Sequence, residues 1–317
     1  MKNIVILDDY QNVALNMGPW DTLSSRAKVR VLTRYIGDLD GLVDELEDAN
    51  VIVCNRERTP VDKALLERLP KLELVVTSGM RNNSIDVATA NARGVTVCGT
   101  ATLGYPTAEL TVGMILGWFR QIPDEVNNLH AGRWQQSVGT GVRGKTLGIV
   151  GYGRIGSDVA KVFKALGTNV MAWSRSLTPE KAAADGITAA SLDDVLKQSD
   201  IVSVHLLANP QTRGMIGARE IGLMKPTALL VNTARAMLID QQAMINALHD
   251  GKIGGAALDV YDIEPLPMAH PILKAPNTLL TPHLGYVMEE NYRISFTEAV
   301  ENVAAWLDGK PVRVLKP

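Results

Sequence analysis

The chain has 317 residues, and at roughly 150 residues per domain the first expectation is two domains. Apolar residues make up 46% and charged residues 21%, which excludes disordered and collagen-like chains. The 32 basic and 34 acidic side chains nearly cancel, leaving a formal charge of −2, so nothing electrostatic directs the chain to nucleic acid or to an anionic membrane.

Cys54 and Cys98 lie far apart in the chain and make neither a disulfide scaffold nor a zinc framework, so a reducing cytoplasm and no metal are expected. No segment approaches the ~18 consecutive apolar residues of a membrane span. The first apolar run, Ile4 to Leu7, is stopped by Asp8 and Asp9. It is too short for the apolar core of a signal peptide and reads as a buried strand.

In chain order, strand-like runs occupy residues 4–7, 29–32, 51–54, 74–77 and 95–98. Helical spacings of three and four fall at 39–47 and 62–69, the second opening near Pro60 and Asp62. A long apolar helix is expected over 107–121, with Pro106 at its start. A second strand series follows at 147–150, 169–173, 201–204, 228–231, 255–259 and 278–281. Helices fit between these strands at 155–165, 192–197, 219–223 and 240–249. An amphipathic helix over 289–306 ends before Gly309, a natural cap. Alternating strands and helices predict an α/β fold of two Rossmann-like or flavodoxin-like domains. Each is a parallel sheet with helices on both faces, with a cleft between the domains. The expected division is 1–98 with 286–317 as a discontinuous substrate-binding domain, and 99–285 as the nucleotide-binding domain.

The most informative stretch is Gly151, Tyr152, Gly153, Arg154, Ile155 and Gly156, a G-x-G-x-x-G placed between a strand and a helix. The first glycine permits the tight turn, the second lets the backbone approach a pyrophosphate, and the third lets helix pack on strand. The pyrophosphate then faces the free N–H groups of the helix start. These six residues are expected to bind a dinucleotide. About 20 residues on, an NAD-binding fold places an acid for the ribose. Here that position is Ser174, followed by Arg175. A carboxylate would repel a 2′-phosphate and an arginine can pair with one, so NADP is favoured within an NAD(P) reading.

Further strand ends carry Thr233, Ala234 and Arg235, then Asp259 with Glu264, then His283 with Gly285. The carboxyl edge of such a sheet is where ligands bind. Together with Gly132, Arg133, Trp134 and the helix start Thr107, Ala108, Glu109, these residues resemble the D-isomer-specific 2-hydroxyacid dehydrogenase family. That family includes phosphoglycerate, glycerate and D-lactate dehydrogenases and glyoxylate/hydroxypyruvate reductases. The resemblance spans nearly the whole chain.

It implies that small 2-keto acids and D-2-hydroxy acids are interconverted by hydride transfer, with Arg235, Glu264 and His283 as the catalytic set. Arg235 would grip the substrate carboxylate and polarise the keto oxygen, a task suited to a planar, permanently charged fork. His283 would be the general acid or base. Glu264 would hold the other imidazole nitrogen, and Asp259 would balance the charge of the nicotinamide. His205, Thr233 and Gly285 are expected to line the cofactor with Ser174 and Arg175. A homodimer is implied, with the helix from Thr107 and Trp134 contributing to its interface.

The substrate-binding loop departs from the family's G-x-G pattern. Ser78, Gly79 and Met80 are expected to hold the carboxylate through backbone N–H groups. Arg81 stands in the second glycine's place, and Asn83 and Ser84 replace an Asp-Asn pair. Arg81 either reaches a second anionic group or has a structural role at Asp86 or in solvent, and the structural role is favoured. Leu207 replaces a common proline after His205. With no extension after residue 317, a regulatory small-molecule-binding domain is not expected. Two other readings stay open: an NAD(H)-sensing co-repressor of the same fold, and a dehydrogenase of a one-centre anion such as formate or phosphite.

Overall fold

In the computed structural model, which describes all 317 residues, the short apolar runs of the first hundred residues become one parallel sheet. Its strands are β1 (Lys2–Ile6), β2 (Ala27–Val31), β3 (Val51–Cys54), β4 (Leu74–Thr77) and β5 (Thr96–Gly99), in the order β2-β1-β3-β4-β5. Ile4 stands opposite Val29 on one side and Val51 on the other. β3 and β4 are buried at every position, as expected of parallel strands covered on both faces. Helices Leu39–Leu46 and Lys63–Arg68 start where Asp38 and Asp62 accept hydrogen bonds from the N–H groups of Gly41 and Leu65. The terminal helix Glu289–Leu307 packs on this sheet and buries Tyr292, Phe296, Val300 and Val303. Each such side chain contributes roughly 1.5–3 kcal/mol on burial. Gly309, at φ +71°, ends the helix as its position suggested.

A second parallel sheet contains β6 (Thr146–Val150), β7 (Asn169–Trp173), β8 (Thr188–Ala189), β9 (Ile201–Val204), β10 (Leu229–Asn232), β11 (Gly255–Leu258) and β12 (Thr278–Leu280). Its order is β12-β11-β10-β9-β6-β7-β8, so strand progression reverses between β6 and β9. Alternate residues enter opposite cores: Val202 and Val204 lie in one cluster, Ile201 in the other. The helix Pro106–Phe119 supplies Ala108, Met114, Ile115 and Phe119 to the second cluster. By contact pattern the chain divides into Met1–Leu103 with Val287–Pro317 and Gly104–Tyr286. No helix is long and apolar enough to cross a membrane.

The structure differs from the sequence expectation at several places. The helix expected over 107–121 stops at Phe119, because Gln121 takes a left-handed conformation (φ +54°) and a new helix, Ile122–His130, begins. Pattern did not reveal that helix, since none of its residues is buried. Helices Val87–Ala92 and Pro179–Ala184 were also missed; each has six residues, too few to show a period.

Candidate active site

The G-x-G-x-x-G turn joins β6 to the helix Arg154–Ala165. Gly151 has φ +103°, and a Cβ there would lie 2.7 Å from the His205 carbonyl. A Cβ on Gly156 would lie 2.4 Å from the Gly151 oxygen. The fold itself therefore requires these two glycines. Gly153 is different: nothing in the protein lies within 4 Å of its Cβ position. The helix it precedes has no side-chain cap, so the first N–H groups face open space over Gly153. A pyrophosphate fits that arrangement, and the residues of the turn suit a dinucleotide. The Tyr152 side chain is engaged elsewhere, its hydroxyl donating to Asp185 Oδ2 at 3.0 Å. Past β7, Ser174 is half-buried and Arg175 is exposed, with no acid at that strand end.

His205 leaves β9 with Nε2 2.8 Å from Ser203 Oγ, and burial pushes its imidazole down to about 4. It is neutral at physiological pH. Thr233 follows β10 and lies 2.8 Å from Thr111 Oγ1. Thr111 already donates to the Thr107 carbonyl, so the shared hydrogen comes from Thr233. Its neighbour Arg235 is half-buried, with Nη1 donating to the Ala234 carbonyl. Asn232 shapes this turn: its amide donates to the Arg235 carbonyl and its oxygen accepts from Ala234 N.

The carboxylate of Glu264 meets His283 Nδ1 at 2.6 Å through Oε2, while Oε1 accepts from Tyr261 N at 2.8 Å. Burial pushes the Glu264 carboxyl up. The hydrogen bond and charge of His283, the Tyr261 N–H and the charge of Arg235 outweigh that and hold it below the usual carboxylate range. Glu264 is thus ionised, and its Nδ1 contact leaves His283 Nε2 as the nitrogen that can exchange a proton with a ligand.

His283 sits in a left-handed conformation, φ +54°, in the turn after β12. Asp259 holds that turn from below. Its Oδ1 accepts from Thr281 Oγ1 at 2.7 Å and Leu284 N at 2.6 Å, and its Oδ2 accepts from Gly285 N at 2.8 Å. Burial raises the Asp259 carboxyl, against the pull of these donors and of His283. Gly285 is gripped on its other side by Thr107, whose hydroxyl donates to the Gly285 carbonyl.

Residues 112–285 match the family model described as "D-isomer specific 2-hydroxyacid dehydrogenase, NAD binding domain". The chain belongs to this family. It is 36% identical to the glyoxylate reductase of Aeropyrum pernix over 302 residues, 92% of this chain and 84% of that protein. It is likewise 36% identical to the D-3-phosphoglycerate dehydrogenase of Methanocaldococcus jannaschii over 273 residues, 85% of this chain but 52% of the relative. The chain therefore spans about half the length of that relative. Among solved structures it is similar to a phosphoglycerate oxidoreductase from Vibrio cholerae, with TM-score 0.92 and 36% identity, covering 98% of this chain and 100% of that one.

In this 2-hydroxyacid dehydrogenase chain, Arg235, Glu264, His283, Asp259, Gly285, Thr233 and His205 gather at the carboxyl ends of β9 to β12 in the unit Gly104–Tyr286. Ser78, Gly79 and Met80 lie in the other unit, after β4. There Ser78 N donates to the Cys54 carbonyl and Gly79 N to Thr100 Oγ1. The N–H groups of Met80 and Arg81 bond nothing within the chain and are the ones left for a carboxylate. Arg81 is exposed and does not bind Asp86, which instead caps the helix Val87–Ala92 by accepting from Thr89 N and Oγ1. Of the two structural placements expected for Arg81, contact with Asp86 is not seen and the side chain lies exposed to solvent. Sequence reasoning missed Asn82, which shapes the loop by donating to the Arg56 carbonyl and Thr77 Oγ1. An asparagine three residues past the loop's glycine was the only signal.

Proposed function

We propose that the chain is an NAD(P)-dependent reductase of small 2-keto acids that yields D-2-hydroxy acids, and that it can run in reverse. The observation that carries this reading is the 2.6 Å Glu264–His283 pair on the strand edge that also bears Arg235 and the uncapped glycine turn. Residues 151–156, with Ser174 and Arg175, would hold the cofactor, which would supply the hydride.

Arg235 binds the carboxylate and keto oxygen of the substrate. Its charge favours the developing alkoxide over the neutral ketone, which lowers the barrier. His283 Nε2 delivers the proton to that oxygen in reduction and removes it in oxidation. Glu264 takes Nδ1–H, fixes the ring's orientation and balances the imidazolium. Neutral His205 would bring no positive charge to a nicotinamide bound near it. Within the unit Met1–Leu103 with Val287–Pro317, the Met80 and Arg81 N–H groups are read as a cradle for a carboxylate. NADP is placed ahead of NAD because Arg175 can pair with a 2′-phosphate and no acid opposes it.

We also propose a homodimer in a reducing cytoplasm. Ile122, Val126, Leu129, Trp134 and Val138 are exposed apolar residues within one short stretch, an apolar surface of the kind that marks protein contacts. Both cysteines are free and buried. The test is loss of reduced-nicotinamide absorbance, with NADPH and NADH in parallel, against glyoxylate, hydroxypyruvate, pyruvate and longer 2-keto acids. Turnover with NADPH favoured is the expected result. NADH-favoured turnover overturns the Arg175 reading, and no turnover with any acid overturns the reaction.

A further inference from the structure

On one side the loop at 78–81 packs closely on Gly99. Behind it lies a small cavity of about 10 Å³, lined by Ser78, Thr100, Tyr292 and Ser295 among others, room for about one water. Hydrogen bonds also fix the loop's position. Gly79, at φ +95°, donates its N–H to Thr100 Oγ1 at 3.2 Å. Thr100 Oγ1 lies 3.1 Å from Ser295 Oγ on the terminal helix. Thr100 is 1% and Ser295 5% exposed, so water cannot replace either hydroxyl from outside.

The same helix face grips the chain on either side of this pair. Glu298 Oε2 accepts from Ala101 N, and Asn291 Oδ1 accepts from Leu103 N. Asn291, Ser295 and Glu298 follow one another at steps of four and three, the spacing of one helical stripe. Thus a stripe of the terminal helix, far away in sequence, fixes residues 100–103, and Thr100 passes that constraint to Gly79.

We propose that Thr100 and Ser295 are positioning residues for substrate binding: they anchor the Gly79 N–H, so that the N–H groups of Met80 and Arg81 are presented together to the substrate carboxylate. This rests on the reading of 78–81 as a carboxylate cradle. Removing the Thr100 hydroxyl leaves the buried Gly79 N–H without an acceptor, and the loop must shift to find one. Substrate affinity then falls, while cofactor binding and the proton chemistry, built from other residues, are left alone.

The experiment compares Thr100→Val, Thr100→Ser, Ser295→Ala and Gly79→Ala with the unaltered enzyme. It reads KM for glyoxylate, kcat, NADPH affinity by fluorescence titration, and melting temperature. Thr100→Val is expected to raise KM about tenfold, with kcat within about twofold and NADPH affinity unchanged. Thr100→Ser keeps the hydroxyl and restores KM, and Ser295→Ala gives a smaller rise. Should Thr100→Val fail to fold, a KM rise in Ser295→Ala at unchanged NADPH affinity carries the same support, and an unchanged KM there overturns the proposal. Gly79→Ala strains the loop directly, since its φ is positive and its Cβ would lie 2.7 Å from Arg56 Nη1. If Gly79→Ala raises KM but Thr100→Val does not, the cradle stands and the positioning role fails. If neither changes KM, the cradle reading fails and takes the proposal with it. A parallel loss of kcat, KM and NADPH affinity in Thr100→Val overturns the proposal in favour of a general structural role.

Discussion

Asp259→Asn tests how the turn bearing His283 is held. The side chain of Asp259 is fully buried and takes three donors, from Thr281 Oγ1, Leu284 N and Gly285 N. An asparagine can keep its oxygen toward Thr281 and Leu284, but its NH2 then faces the N–H of Gly285. That leaves a buried donor unsatisfied, at a cost of about 1–3 kcal/mol. An opposing effect must be subtracted. Burial lifts the Asp259 carboxyl above its ordinary 3.8. Its contribution to stability is therefore complete below that pH and is lost as pH rises through the folded value. Asparagine carries no such loss.

The margin between the two proteins should therefore be widest in acid, at about 1–3 kcal/mol, and narrower at neutrality, each kcal/mol being worth about 2–4 °C in melting temperature for a unit of this size. Differential scanning fluorimetry at about pH 4.5 and pH 7 reads the margin directly. Turnover should fall about tenfold as the His283 turn loosens. A margin that is zero, or that widens as pH rises, would refute the account of Asp259.

The glycine turn predicts a separation of stability from binding. Gly153→Ala meets no protein atom, so melting should stay within about 1 °C while NADPH affinity falls more than tenfold; equal affinity by fluorescence titration would contradict the cradle. Gly156→Ala, pressed against the Gly151 oxygen, should lose both. Glu264 supplies a pH signature of the opposite sign to Asp259. Its carboxyl is held below its ordinary 4.5, so its stabilising contribution is present above that pH and disappears as pH falls through the folded value. The melting difference between wild type and Glu264→Gln should accordingly shrink in acid, and a difference independent of pH between about 3 and 7 would count against the Glu264–His283 pairing.

The parts of the fold that were legible in sequence are those where a local rule acts alone. Gly151 and Gly156 stand out because backbone contacts forbid a side chain there. Arg235, Glu264 and His283 follow short apolar strands on one edge of a parallel sheet, but it was the resemblance to the 2-hydroxyacid dehydrogenases that singled them out. What stayed hidden depends on partners distant in sequence. Nothing near Thr100 announces Ser295, 195 residues on. Asp259 suggested a contact with the cofactor, but its three donors come from the next strand's turn. The left-handed backbone of His283 carries no sequence mark, because the Asp259 contacts on Thr281, Leu284 and Gly285 hold the turn around it. The helix Ile122–His130 escaped for the opposite reason: its apolar residues point outward, so its pattern reports an exposed surface and not a core.

The most direct test of the acid–base site is single-turnover reduction of glyoxylate by NADPH with wild type and His283→Asn side by side. The account predicts that the variant binds NADPH within about threefold of wild type and reduces the acid ~10²–10⁴-fold more slowly, the usual range for a lost acid–base group. Equal reduction rates at saturating glyoxylate would contradict it.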